Sequence, residues 1–324
     1  CEQNVQQTYT AEEQAMTAVQ CAKEGLDTAT WATSNNQILA FSVGNPTLIP
    51  ENGTNETFGV VWQPTTIEVL ENINFKMAID SFELEIENAV VGSGSQNALN
   101  QCYKYGREDF CAKVSRSYGG DVNSVEYGYI NSESMDRFRG VDYSVNMTFE
   151  DLSLIGGSLE VDVIGTHFKE NVTVDASGVS DDYVGACYDF GESCFNRDRI
   201  TLSLRYYKND WRIGLTTRFL SGIDTSQTVK DYFAEPPYGS ALPDGWQQEV
   251  FDIYSVPDYH ISNLNIGYSF TEHYNMNLTI SNLFDRDPPY YKDFFGFVDP
   301  QINTPQNTYD VVGRYFQVGF KLTY

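Results

Sequence analysis

Basic residues are scarce: 20 Lys and Arg stand against 45 Asp and Glu, a formal net charge of −25 over 324 residues. Without a cationic surplus to displace phosphate counterions, the chain is not a nucleic-acid binder. Docking on an anionic membrane surface is disfavoured on the same ground. Long apolar runs are missing too. No stretch of about 18 apolar residues occurs, which excludes a transmembrane helix. It does not exclude a transmembrane β-barrel, whose strands show only short alternating segments. The histidines are few and scattered at His167, His260 and His273, with no HxxxH or HExxH pattern, and no cysteine pair is CxxC. No metal site and no cofactor are assigned. The opening residues Cys1-Glu2-Gln3-Asn4 lack the basic start and apolar run of a signal peptide. A removed leader, or a start partway through a longer protein, accounts for that.

What is present is aromatic. Phe, Trp and Tyr make up 14% of residues, Tyr alone numbering 22, within a hydrophobic total of 41%. Six cysteines fall into three close pairs, Cys1 with Cys21, Cys102 with Cys111 and Cys187 with Cys194. Of the 15 connectivities possible, spacing favours these local pairs. Each would clip one polar segment and stabilise it by roughly 2.5–4 kcal/mol, in an oxidising compartment. A lipidated Cys1 is the lesser reading.

Residues 1–56 are the least strand-like part. Within them, about 10–25 read as a short helix: Thr10 as N-cap, Glu13 completing a capping box, Gly25 as the stop. Ala11, Ala15, Ala18, Val19 and Ala22 share a weakly apolar face on which that helix would rest. From residue 57 the period changes to two and stays there to residue 324. Phe316, Val318, Phe320, Leu322 and Tyr324 alternate with polar or small residues, as do Met276, Leu278 and Ile280 before them. The same reading gives strands around 264–270, 211–219, 200–206 and 141–149, with others at 57–63, 72–87 and 158–173. That makes about nine.

Connections alternate between short joins and long ones at about 88–123, 174–198, 221–257 and 287–312. A soluble sandwich has no reason to gather its long loops at one end. An outer-membrane barrel does, with short periplasmic turns and long extracellular loops. Ten residues tilted by ~45° span about 23 Å, the height of the apolar band of such a barrel. The expected fold is therefore all-β: a transmembrane antiparallel β-barrel over 57–324, with residues 1–56 as an extracellular loop.

Several stretches resemble the TonB-dependent outer-membrane receptor family. Ser281-Asn282-Leu283-Phe284-Asp285 resembles the family's Asn-Leu-Phe-Asp motif, and residues 308–324 resemble its closing strand. Gly44-Asn45-Pro46 through Pro50-Glu51, Gly59-Val60-Val61-Trp62-Gln63-Pro64 and Phe138-Arg139-Gly140-Val141-Asp142 resemble family segments in the expected order. The resemblance implies a place in the outer membrane of a Gram-negative bacterium and about nine strands of a larger barrel, of about 22 strands in plugged transporters. It implies energised uptake of a scarce or bulky ligand: a siderophore, cobalamin, an oligosaccharide or a peptide. Implied partners are outer-membrane lipids, the TonB-ExbB-ExbD complex and the barrel-assembly machinery, which reads the alternating closing strand. The family's plug domain is not visible in this sequence. A passive porin-like barrel is the alternative, and a secreted carbohydrate-binding β-protein a third.

Ligand contacts are expected from loop aromatics, which stack on flat or ring-bearing ligands at little entropic cost. They are Trp31, Tyr103, Tyr105, Tyr183, Trp246, Tyr290 and Tyr291. The bland reading of each is loop-on-loop packing. Arg205, Arg212 and Arg218 fall on the inferred lumen face, where they would contact a plug, form salt bridges or line the path of an anion. The acidic crowd at Asp175, Asp181 and Asp182 fits no EF-hand spacing and reads as a solvated loop. No catalytic constellation is present, so the chain is read as a transporter rather than an enzyme.

Overall fold

In a computed structural model the chain forms two compact units. One comprises Cys1–Thr54, Glu85–Asp136 and Thr173–Asp181; the other comprises Asn55–Leu84, Arg137–Val172 and Asp182–Tyr324. The structure describes residues 10–27, 29–32, 37–64, 73–132, 135–152, 155–174, 180–187, 194–224, 255–291, 304 and 308–323. In chain order the elements are α1 (Ala11–Lys23), β1 (Leu39–Ser42), β2 (Asn52–Trp62), β3 (Ile73–Glu87), β4 (Val90–Ser93), α2 (Ser95–Tyr103) and α3 (Glu108–Cys111). Then come β5 (Val114–Arg116), β6 (Val122–Asn131), β7 (Asp136–Phe149), β8 (Ser158–Val174), β9 (Ser180–Asp182), β10 (Ala186–Cys187) and β11 (Cys194–Phe195). The last are β12 (Asp198–Lys208), β13 (Trp211–Leu220), β14 (Tyr259–Ser269), β15 (Tyr274–Ser281) and β16 (Tyr315–Leu322). Among the described residues no helix is long and apolar enough to cross a membrane.

The first unit is built on α1, whose capping box forms as the sequence predicts. Thr10 Oγ1 accepts from the Glu13 backbone N–H at 3.2 Å, and the Glu13 carboxylate accepts from the Thr10 N–H at 2.7 Å. Those bonds hold the Glu13 carboxyl below its usual range. Gly25, with φ at +78°, follows the helix in the left-handed conformation that favours glycine. The packing face differs from the expected one. Thr17, Gln20 and Cys21 are buried, while the Ala face is largely exposed, Val19 by 52%. Polar anchoring explains this. Thr17 donates to the Tyr103 carbonyl at 3.1 Å, and Cys21, Ala98, Cys102, Phe110 and Val125 form a small core with Tyr103. The segment 88–123, expected as a long loop, carries β4, α2, α3 and β5, and β4, β5 and β1 all pair with β6.

The second unit is a sheet in the order β16-β15-β14-β13-β12-β8-β7-β3-β2, with the short β9 also on β8. Among the described residues nine principal strands match the nine read from the alternation, and the ladders from β7 to β16 are antiparallel. Register sorts the side chains cleanly, because successive residues point to opposite faces. Val161, Leu202, Leu204, Leu215, Leu264, Leu278 and Val318 share one face. Asp162, Ser203, Thr216, Asn263, Thr279 and Gln317 share the other. This is the pattern of a barrel wall with lipid on one side and a polar lumen on the other.

Short joins sit at one end of these strands. Asn209-Asp210 alone connects β12 to β13, and Asn209 takes the turn at φ +51°. At the opposite end, the Asn-Leu-Phe-Asp segment makes a tight turn after β15. Asn282 is 1% exposed with φ at +50°. Its side chain clamps Arg286 twice, accepting from the Arg286 N–H at 2.8 Å and donating to the Arg286 carbonyl at 2.9 Å. Asp285, also left-handed at φ +54°, accepts from the Arg314 N–H at 2.8 Å, tying the turn to the approach of β16. The family-like motif therefore has a structural reason: its two Asx residues fold the chain back.

The pairs Cys102–Cys111 and Cys187–Cys194 are disulfide-bonded as spacing suggested. Cys21 is also disulfide-bonded, and Cys1 lies outside the described residues. Tyr324, the end of the expected assembly signal, lies outside them as well, whereas Phe316, Val318, Phe320 and Leu322 share the apolar face of β16.

Candidate ligand-binding site

The polar face of the second unit holds all three nominated arginines. Arg205 on β12 faces Gly214, and Arg212 and Arg218 stand two residues either side of Gly214 and Thr216 on β13. Their surroundings differ. Arg205 is held by Glu160 at 2.8 Å and by Asp162, a neutralised cluster. Arg212 donates to Ser269 Oγ at 3.2 Å and Asn275 Oδ1 at 3.3 Å. Arg218 donates to the Thr308 carbonyl at 2.9 Å.

Arg218 stands at the end of the sheet that carries the long connections, and there the face opens into a cleft of about 560 Å³. Thr166 of β8, Arg199 and Thr201 of β12, Arg218 of β13 and the preceding Phe195 and Asn196 line it, with Thr308 at its edge. A volume of this order suits a small ligand. Arg199 was not singled out in the sequence, although it shares the parity of Arg205 on the same strand and could have been found by it. Its guanidinium lies over Phe195 at 4.6 Å and Phe168 at 5.4 Å, a cation–π geometry. Those two rings continue into a cluster with Phe138 and Phe82, centroids 4.7–6.4 Å apart. The four phenylalanines come from four strands, β3, β7, β8 and β11, so nothing in local spacing announces them.

A buried cluster adjoins the cleft. Cys187, Cys194, Leu220, Ile223, Val256, Tyr259, Tyr291 and Tyr309 form a buried cluster. Asn196, fully buried, donates to the Ser221 carbonyl at 2.7 Å and to Tyr309 Oη at 3.3 Å. Burial pushes the Tyr309 phenol above its usual range, with the Asn196 bond opposing. The Cys194 N–H donates to Thr308 Oγ1 at 2.9 Å, so the disulfide-clipped segment holds the residue that fixes Arg218.

The nominated aromatics divide. Tyr291 is in the buried cluster just described, while neighbouring Tyr290 is 61% exposed. Tyr183 is half-buried and its N–H bonds the Asn171 carbonyl at 3.0 Å. Trp246 lies outside the described residues. In the first unit Tyr103 is buried and donates to the Glu24 carboxylate at 2.8 Å. Arg116 bonds Glu24 at 2.6 Å and lies over the rings of Tyr103 and Trp31 at 5.2 and 5.7 Å. Burial raises the Tyr103 phenol to about 12, the nearby Arg116 charge opposing. Tyr103 and Trp31 thus brace the first unit internally, and Tyr105 is exposed beside them in sequence. Asp182, from the acidic crowd, accepts from the Asn171 and Val184 N–H groups, and no metal-ligating group of three occurs among the described residues.

A family model described as TonB dependent receptor-like, beta-barrel, matches residues 6–283. No curated protein matches the sequence. Among solved structures, the siderophore receptor PirA from Acinetobacter baumannii is similar at 16% identity with a TM-score of 0.52, covering 87% of this chain and 33% of that one. A mutant ferric enterobactin receptor (PfeA) from Pseudomonas aeruginosa, in complex with enterobactin, is similar at 15% identity with a TM-score of 0.53, again over 87% and 33%. These likenesses concern the fold. The chain spans about a third of the length of the structures it matches. The family and these neighbours are receptors, not enzymes.

Proposed function

The chain belongs to the TonB-dependent receptor-like β-barrel family, and from that premise we propose that it is the wall and ligand-binding rim of a receptor for energised uptake across a bacterial outer membrane. The observation that carries this reading is the family match over residues 6–283, together with a sheet whose strands from β7 to β16 sort one apolar and one polar face. The polar face would line the path, and the long-connection end would meet the ligand. The work is binding and gating, with no bond broken. A siderophore is the ligand class favoured, since the similar structures are a siderophore receptor and a ferric enterobactin receptor. TonB-ExbB-ExbD would supply the energy and outer-membrane lipids would cover the apolar face.

The test is uptake of radiolabelled ferric enterobactin by cells producing the intact protein, with and without a protonophore. Saturable uptake that the protonophore abolishes supports the proposal. Uptake that rises linearly with concentration and survives the protonophore would establish a passive pore instead.

A further inference from the structure

Two of the three histidines stand at the long-connection end of the wall, on the side of its apolar face. His167 pairs with Asp198 across β8 and β12, and His260 with Phe219 across β14 and β13. Their side-chain partners are opposite in charge. His167 Nδ1 lies 2.7 Å from Asp198 Oδ1, a partner that a proton on the imidazole suits. His260 meets a cation: Arg286 Nη1 lies 2.6 Å from its Nδ1 and 3.1 Å from its Nε2. A guanidinium has only donors, so the imidazole nitrogen that it bonds must carry a lone pair. Protonation removes that lone pair and sets two positive groups in contact. The bond exists only with neutral His260.

This bond belongs to a join between two stretches of chain. Arg286 Nη2 donates to the Asp258 carbonyl at 3.0 Å, on the approach to β14, while Asn282 clamps the Arg286 backbone. The Tyr259 ring lies 5.4 Å from the guanidinium. Charged groups of the surrounding elements have places of their own. The Asp258 carboxylate accepts from the Gly222 N–H at 2.7 Å, and Asp285 holds Arg314. Asp310 accepts from the Val312 N–H at 2.9 Å, and Arg218 of β13 donates to the Thr308 carbonyl. Asp287 follows Arg286 in the chain, and uncharged Phe219 is the neighbour of His260 on β13.

We propose that His260 and Arg286 form an acid-released clamp, which fastens the turn after β15 to the start of β14 at neutral pH and lets go in acid. The sign follows from linkage. The released state takes up a proton on His260 more readily than the clamped state, so falling pH favours release. Histidine is the side chain suited to this, gaining its charge between pH 8 and 5. The bonds from Asn282 do not titrate, so release loosens the join without unfolding the wall.

The experiment is amide hydrogen exchange on the intact protein in detergent, without ligand, from pH 8 to 5.5, with intrinsic rates divided out. The reporters are the Asp285 and Arg286 N–H groups, both bonded to Asn282. Opening that frees the Arg286 N–H carries its side chain away from His260. Protection there should fall by about fivefold toward pH 5.5, the size of one exposed charge-assisted bond. His260→Asn, whose amide oxygen can accept from Arg286 at any pH, should keep the protection and lose the pH dependence. Arg286→Gln should lower protection at pH 8 and also lose the pH dependence, which keeps the test decisive if the first variant fails to fold. A flat wild-type profile overturns the proposal, as does a fall that persists in either variant. No ligand or energy source is present, so the outcome is independent of the import reading.

Discussion

At the residue scale, two side chains account for more of the local architecture than their size suggests. Asn282 makes a buried, left-handed turn and closes two hydrogen bonds on Arg286. Asn282→Ala removes both bonds and places a residue poorly suited to positive φ there, at a cost of about 1–3 kcal/mol. The expected result is a lower midpoint for the heat-induced mobility shift of the folded protein on gels, only partly recovered by Asn282→Gly. Glu13 gives a prediction in pH. Its carboxyl is held below the ordinary 4.5 chiefly by the Thr10 backbone bond. For a lowered acid the stabilisation is present above the unfolded value and is lost as pH falls through the folded one. Protection factors in the first turn of α1, with the intrinsic exchange rate divided out, should therefore fall as the pH drops below 4.5, and Glu13→Gln should flatten that dependence. Unchanged protection at pH 3 would contradict the capping role.

At the scale of elements, what could be read from sequence was what repeats locally. Nine strands were legible because a half-buried strand must alternate, and α1 was legible because the capping box of Thr10 and Glu13 spans only three residues. The face on which α1 packs was not. The Ala stripe offered little area to bury, and a disulfide-bonded Cys21 and a Thr17 hydroxyl bonded 86 residues away decided the matter instead. Likewise α2, with the sequence SQNALNQCY, carries too few apolar residues to announce itself. Beyond the neighbouring α3, it packs on β6 and α1, partners reached only through the fold. The cleft was half legible. Arg218 could be placed on the polar face by parity, but Phe195 comes from the two-residue strand β11 and Asn196 and Thr308 from outside the strands, where no period can be read. The two faces themselves can be tested on β15, where Leu278 and Thr279 are neighbours on opposite sides. Leu278→Arg on the lipid side should cost about 2–4 kcal/mol. Thr279→Arg should leave the yield of folded protein near that of the wild type. Equal loss from both would mean that neither face meets lipid.

At the scale of the whole molecule, composition and architecture explain one another. A hydrophobic content of 41% is low for a protein with so many strands, but only one face of each strand has to meet lipid. The acidic excess is carried by a protein whose second unit has, at one end of its polar face, a cleft that Arg199 and Arg218 help to line. Saturation matters in the uptake measurement because a binding site fills, whereas an open pore does not.

The strand register also limits how such a gene can change. Between β7 and β16 each residue owes its surroundings to whether its position is odd or even. Loss of a single codon inside β12 would turn Arg205 toward the acyl chains and Leu204 toward water, and the error would run to the next bend. Codons can be gained or lost in these strands without ruin only in twos, or where a bulge absorbs the odd one, as at Arg139/Gly140. Length variation among descendants of this sequence should collect in the connections, leaving the wall to diverge by substitution alone.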